Sequence, residues 1–192
     1  TRFEWKRANP FGALLLLRSY RHVFGLAGLV FVSNLAHYAL PSTFVLYADY
    51  RYGWSEQKVG YVLAFVGLCN AIVQAALVRR VVPRFGERRA LLTGLAFGAA
   101  GFATMGLAPE GMLFLIGVPL LGLWGLSGPS VQALLTRRVP EDQQGRLQGA
   151  VTSLAAVAGI FAPWLFTHVF AWFIDNPSGL HVPGAAFLLS AT

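Results

Sequence analysis

What this 192-residue chain lacks most is carboxylate: Asp and Glu number eight, and none of the eight falls inside an apolar run. Catalysis needs a convergent nucleophile, base and stabiliser, so this absence argues against an enzyme. Ser127 and His168 have no acid partner within the apolar runs and no Gly-x-Ser-x-Gly elbow around the serine. Charge of either sign is scarce, at 12% against 56% hydrophobic residues, where a soluble domain carries about a quarter charged residues. The single cysteine, Cys69, lies within an apolar run. It can close no disulfide framework and build no cysteine metal site, and it reads as a small buried apolar residue. No cofactor is implied.

What is present is a series of long hydrophobic runs. Val59 to Val78 is free of charge, and at 1.5 Å per residue it covers about 30 Å, the thickness of a bilayer's hydrocarbon core. A second run begins at Ala90, and five arginines lie between the two. Each Arg placed at a bilayer centre costs about 2.5 to 3.5 kcal/mol. The segment Val59 to Leu92 therefore reads as two membrane-crossing helices joined by a tight basic turn. The same pattern along the chain predicts an all-α membrane protein with spans at Val23 to Ala48, Val59 to Val78, Ala90 to Leu107, Met112 to Leu135 and Gly149 to Ile174. A sixth, Val182 to Thr192, is too short to cross a bilayer as a helix, so the sequence is expected to be a piece of a longer protein.

Residues 1–22 read as a cytoplasmic linker, with Asn9 and Pro10 starting a short interfacial helix, and residues 23–192 as a transmembrane bundle. Pro41 should kink the first span, Ser55 can cap the second, and Trp54 with its neighbouring tyrosines suits an aromatic belt. Thirteen of the fifteen Lys and Arg residues fall in three stretches that would share one side of the membrane: Thr1 to His22, Arg79 to Arg89 and Thr136 to Gln148. The positive-inside tendency makes that side, and the N-terminus, cytoplasmic. The net charge of +7 thus reports topology, with no basic groove or stacking platform for nucleic acid.

Polar side chains inside apolar helices need a partner, a cavity or a purpose. Asn34, His37 and Pro41 share a face of the first span, and Asn70 and Gln74 share a face of the second. In the fourth span Ser127, Ser130 and Gln132 surround Gly128-Pro129, where the proline leaves a carbonyl unpaired and opens the helix. These amide, hydroxyl and imidazole groups suit the orientation of a polar substrate in a mostly apolar cavity. Hydrogen bonding between helices is the structural alternative for each of them. His37 is either a proton carrier or a neutral wall residue. Small residues at four-residue spacing, Gly94 with Gly98 and Ala155 with Gly159, allow close helix contact, and the third span reads as a packing helix.

The basic turn Arg84-Phe-Gly-Glu-Arg-Arg-Ala-Leu91, Tyr52-Gly-Trp-Ser55 followed by Val59-Gly60, Gln143-Gln-Gly-Arg-Leu-Gln-Gly149 and Asn9-Pro10 resemble, in order and spacing, the C-terminal half of a major facilitator superfamily transporter. Within that superfamily the tetracycline efflux antiporters and their relatives are most similar. The resemblance implies a twelve-helix fold of two six-helix halves around a substrate cavity, working by alternating access in a bacterial inner membrane. It implies proton-coupled efflux of drug-like or amphipathic small molecules, driven by the proton gradient. The partners implied are that substrate, the lipid bilayer and an N-terminal half. Gln74 matches a glutamine associated with drug binding in those antiporters, and Arg84, Gly86, Arg88 and Arg89 retain contacts of the superfamily's gating loop, whose acidic position is Pro83 here. Asn70 stands where they carry a histidine and Gly98 where they carry an aspartate, so the residues that serve proton coupling there differ here. Uptake or exchange of a native metabolite is the alternative within transport, and a non-transporting membrane receptor or a vestigial fragment the alternative outside it.

Overall fold

The protein is described by a computed structural model covering residues 21–175 and 181–192. The interfacial helix expected after Asn9-Pro10 lies outside the described residues. Among those described, every regular element is helical: α1 (Arg21–His37), α2 (Ala39–Tyr52), α3 (Glu56–Ile72), α4 (Val78–Phe85), α5 (Glu87–Leu107), α6 (Gly111–Leu123), α7 (Ser127–Thr136), α8 (Gln144–Asp175) and α9 (Ala185–Ala191). Joined end to end, these make five helices long and apolar enough to cross a membrane: Phe24–Tyr52, Glu56–Phe85, Glu87–Leu107, Gly111–Thr136 and Glu141–Asp175.

The interruptions have identifiable causes. Pro41 has no N–H to offer the carbonyl of His37, and the helix steps there. Tyr38 N–H bonds instead to Leu35 O at 3.1 Å, and Ser42 N–H to Tyr38 O at 3.1 Å resumes the ladder. Pro129 likewise leaves Gly125 O without its usual donor, and Trp124–Leu126 tightens into a 3-10 turn between α6 and α7. Val73–Leu77 is wound as a π turn between α3 and α4.

The helices run further than expected and the loops are correspondingly shorter. The mixed-charge segment Asp49 to Lys58 is helical on both flanks, because its charged residues do not break a helix and Gly53 does. Gly53 stops α2 in the left-handed region at φ 60°, and its N–H reaches Ala48 O and Asp49 O. Ser55 then starts α3, its Oγ accepting from Lys58 N–H at 3.4 Å. The arginine stretch is also mostly helical, with α4 running to Phe85 and the chain reversing only at Gly86, φ 79°. Glu141–Gln143 and the first turn of α8 occupy what read as polar loop before Gly149.

Contacts between connections sort the loops into two ends. Glu87, at the start of α5, forms a two-pronged ion pair with Arg137, at the end of α7. At the other end Tyr52 OH donates to Ala108 O at 2.9 Å, and Tyr50 OH lies 3.1 Å from His181 Nε2. The chain alternates between a basic end and the opposite end, in the up-and-down order expected.

Two cores hold the bundle. The larger, away from the basic end, gathers Phe44, Tyr47, Phe102, Phe114, Phe166 and Phe187, with Phe44 stacked on Phe114 at 5.4 Å. Trp54 belongs to it, buried against Phe44, Phe114 and Gly111 in the connection between the first two spans, so its ring faces the bundle rather than its surface. The smaller core, toward the basic end, joins Ala27 and Val30 to Leu135, Val139, Leu147 and Ala150. Helix α5 is the shared packing surface. A Cβ on Gly101 would lie 2.7 Å from Leu121 N, and one on Gly94 2.8 Å from Ser127 N, so backbone meets backbone along this face. Thr104 bonds to Ala100 O on its own helix.

Gly101→Ala should lower the thermal stability of detergent-solubilised protein by about 1 to 3 kcal/mol, because the new methyl meets main chain that cannot move aside. Gly67→Ala, whose site is open, should have little effect in the same thermal denaturation assay.

Candidate functional site

Between the two cores lies a cavity of about 620 Å³, within the range of small-molecule sites. It is bounded by α1 and α2 through Ser33, Asn34, His37, Leu40 and Pro41, and by α3 and the π turn through Leu63, Val66, Asn70 and Gln74. The remaining wall is Phe102, Leu121, Trp124, Gly125, Ser127 and Gly128. Five of the six side chains that the sequence singled out for substrate contact therefore meet at one cavity, although they come from three spans. Gln132 is the exception. It lies on α7 about a turn nearer the basic end, beyond the cavity wall, and its backbone carbonyl accepts from Thr136 Oγ1.

The polar groups divide by whether their hydrogen bonds are already spent. Asn34 Nδ2 donates to Val30 O at 2.8 Å and Ser127 Oγ to Trp124 O at 2.8 Å, both within the chain's own helical turns. Ser130, buried beside them, donates to Leu126 O at 2.7 Å. Asn70, Gln74 and His37 make no hydrogen bond among the described residues, and His37 is exposed, with its ring 5.3 Å from that of Trp124. An amide offers two donors and a two-fold acceptor, so Asn70 and Gln74 present unspent hydrogen-bonding capacity to the cavity. Gln74 stands on the π turn, a local widening that recurs at functional sites. Across from it, a Cβ on Gly125 would lie 3.5 Å from Gln74 Nε2 and 3.3 Å from Val73 Cγ1.

Sequence reasoning missed Trp124 and Phe102. The ring of Trp124 lies 5.6 Å from Phe102, and its Cγ is 2.8 Å from where a Cβ on Gly98 would stand. The space next to Gly98 is thus filled by indole, and no side chain fits there without displacing it. A signal was available: Trp in a membrane span favours the interface, and Trp124, flanked by Gly122 and Gly125 in mid-span, breaks that tendency. No sequence signal marks the π turn.

Outside the cavity, Arg84, Arg88 and Arg89 are exposed near the basic end around Gly86. The residue of that loop with a partner is Glu87, whose Oε1 and Oε2 lie 2.7 and 3.0 Å from Arg137. Glu87 sits in the first turn of α5 and Arg137 just past the last turn of α7, so both helix dipoles favour the pair. No group of His, Cys, Asp or Glu among the described residues is arranged to hold a metal ion.

The two ends, one basic, the apolar spans and the cavity between helices define an integral membrane protein of transporter type. Residues 2–173 match the Major Facilitator Superfamily, and the chain belongs to that family. Among characterised relatives it is 30% identical over 182 residues to the tetracycline resistance protein, class C, of Escherichia coli, covering 94% of this chain and 46% of that protein. It is 33% identical over 165 residues to the class G protein of Vibrio anguillarum, covering 86% of this chain and 42% of the relative. Hippocampus abundant transcript-like protein 1 of Mus musculus is 26% identical over 202 residues, covering 98% of this chain and 40% of that protein. The chain spans less than half the length of these relatives.

The cavity can be checked for water directly. In a Cys69→Ser background, cysteines at positions 70 and 74 should react with an aqueous maleimide at least about tenfold faster than one at the outward-facing Ile160, because thiolate forms only where water reaches. Equal rates at all three positions would mean that the cavity is closed.

Proposed function

We propose that this chain is the C-terminal half of a proton-coupled exporter of drug-like, amphipathic small molecules, acting by alternating access in a bacterial inner membrane with its N-terminus and basic end cytoplasmic. The observation that carries the proposal is the convergence of Asn34, His37, Asn70, Gln74 and Ser127 on one apolar cavity at mid-span. Such a cavity suits a ligand that is mostly apolar and carries a few hydrogen-bonding groups. Kinship with tetracycline resistance proteins supports export of drug-like compounds. In this reading Gln74 and Asn70 orient the substrate, and Arg84, Gly86, Arg88 and Arg89 belong to the loop that opens and closes the cytoplasmic side. An N-terminal half completes the cavity, and the proton gradient drives the cycle.

One observation favours a second reading. No carboxylate lines this half of the cavity, and Gly98 and Asn70 occupy the positions where the tetracycline antiporters, by resemblance, carry their coupling residues. If the N-terminal half supplies none either, exchange or uptake of a native metabolite, without proton coupling, fits better.

Full-length protein reconstituted in proteoliposomes should move members of an amphipathic drug panel when an imposed pH gradient is present, and lose that flux when a protonophore collapses the gradient. Flux that survives the protonophore favours the exchanger. Absence of gradient-dependent flux across the panel sinks the exporter.

In the same vesicles, Gln74→Ala should weaken apparent substrate affinity about three- to tenfold, the size of one lost hydrogen bond, with expression unchanged. Loss of expression would assign Gln74 a structural role instead.

A further inference from the structure

We propose that Trp124 is the specificity residue of this cavity, selecting compounds that present a flat aromatic ring bearing a carbonyl or N–H group; the inference rests on the reading of this cavity as the substrate site. The other large aromatic residue of the cavity wall, Phe102, is committed to packing: it is 1% exposed and stacks on Phe187, within a core where Phe44, Tyr47, Phe114 and Phe187 are equally buried. Trp124 differs. The 3-10 turn at Trp124–Leu126 interrupts the fourth span and delivers the indole to the cavity wall, where it is only partly buried.

The ring is backed by Gly98, with Cγ, Cδ1 and Cδ2 at 2.8, 3.1 and 3.1 Å from the position of an added Cβ. Those near-equal distances place the glycine over the indole rather than beyond its edge. His37 and Phe102 meet the ring at interplanar angles of 59° and 72°, so neither stacks flat on it. An indole supported from behind and left unstacked is a platform for another ring, and offset ring pairs gain energy beyond their buried area. Asn70 and Gln74 line the same cavity with amides that have no partner among the described residues. They complement a carbonyl or N–H on the edge of the stacked ring. Selection therefore combines a flat apolar contact at Trp124 with hydrogen bonds at the second span.

The test measures equilibrium binding to the full-length protein in nanodiscs rather than transport. Acridone, a flat tricycle with a carbonyl and an N–H, is the probe, and androstenedione, a non-aromatic ring system with carbonyls, is the control. Trp124→Ala should weaken acridone about tenfold and leave androstenedione within about twofold. Trp124→Phe should recover most of the acridone affinity. Gly98→Ala leaves every polar group of the cavity in place but forces the indole to shift, and it should act like Trp124→Ala.

Equal loss of both ligands in Trp124→Ala overturns the proposal, as does failure of the unmodified protein to bind acridone. If Trp124→Ala does not fold, judged by its melting temperature, Trp124→Phe and Gly98→Ala decide alone. Unchanged acridone affinity in Gly98→Ala then counts against the platform. Ring-selective binding without gradient-dependent flux would defeat the exporter and leave the site, whereas flux without ring selectivity would do the reverse.

Discussion

Helix α5 meets α6 and α7 at main-chain contact distance, and the rest of the bundle is arranged around that approach. Gly94, Gly98 and Gly101 lie on one face of α5, opposite Ser127, Trp124 and Leu121 in that order. In a bilayer the lipid tails are as apolar as leucine, so helices gain little by hiding apolar side chains from their surroundings. Close packing of small residues supplies the attraction instead. Here it also has a geometric consequence, because the absence of a side chain at Gly98 is what makes room for the indole of Trp124 at the cavity wall. The packing helix and the cavity are two results of one contact.

The second economy concerns polar groups. A hydroxyl in a helix can bond to the carbonyl three or four residues before it, and Thr43, Thr104, Ser127, Ser130 and Thr136 all do so. They are satisfied locally and need neither a partner helix nor a ligand. Asn70 and Gln74 have longer amide side chains and no such bond. Left without partners in the membrane interior they would be costly, whereas a water-filled or ligand-filled cavity removes that cost. The position of the cavity therefore accounts for why these two amides are tolerated in a span whose other polar side-chain groups are the Tyr61 hydroxyl and the Cys69 thiol.

At the basic end, the loop after the second span carries five arginines and one acid, and that acid is held by Arg137 from the loop after the fourth span. Arg137 remains mostly exposed, so the pair contributes modestly to stability, on the order of 0 to 1 kcal/mol. Its larger effect is positional: it ties the loops after the second and fourth spans together across the end of α5.

Much of this was legible in the one-dimensional pattern. Spans, their up-and-down order, the shared end of the basic loops and the kink near Pro41 follow from run length, arginine placement and the missing proline N–H. These depend on the chain's own backbone and on the bilayer, both visible in sequence. Loop lengths were overestimated because charged and polar residues such as Asp49, Arg79 and Gln144 were read as ending helices, when only a glycine or a proline withdraws the backbone geometry or hydrogen bond that does so. The candidate site was half legible: helical spacing put Asn34 with His37 and Asn70 with Gln74, but could not say that the two pairs face each other, nor that Gln132 falls outside the cavity they share.

What the sequence determined by itself was that this is a membrane bundle, because hydrophobic length and charge placement are local properties summed along the chain; its likeness to the Major Facilitator Superfamily came from ordered short motifs such as Arg84 to Leu91. The tertiary structure alone decided which polar groups share a cavity, that Trp54 packs into the core, and that Trp124 occupies the space beside Gly98. Those depend on which helix faces meet, and helix rotation is set by packing between residues far apart in the chain.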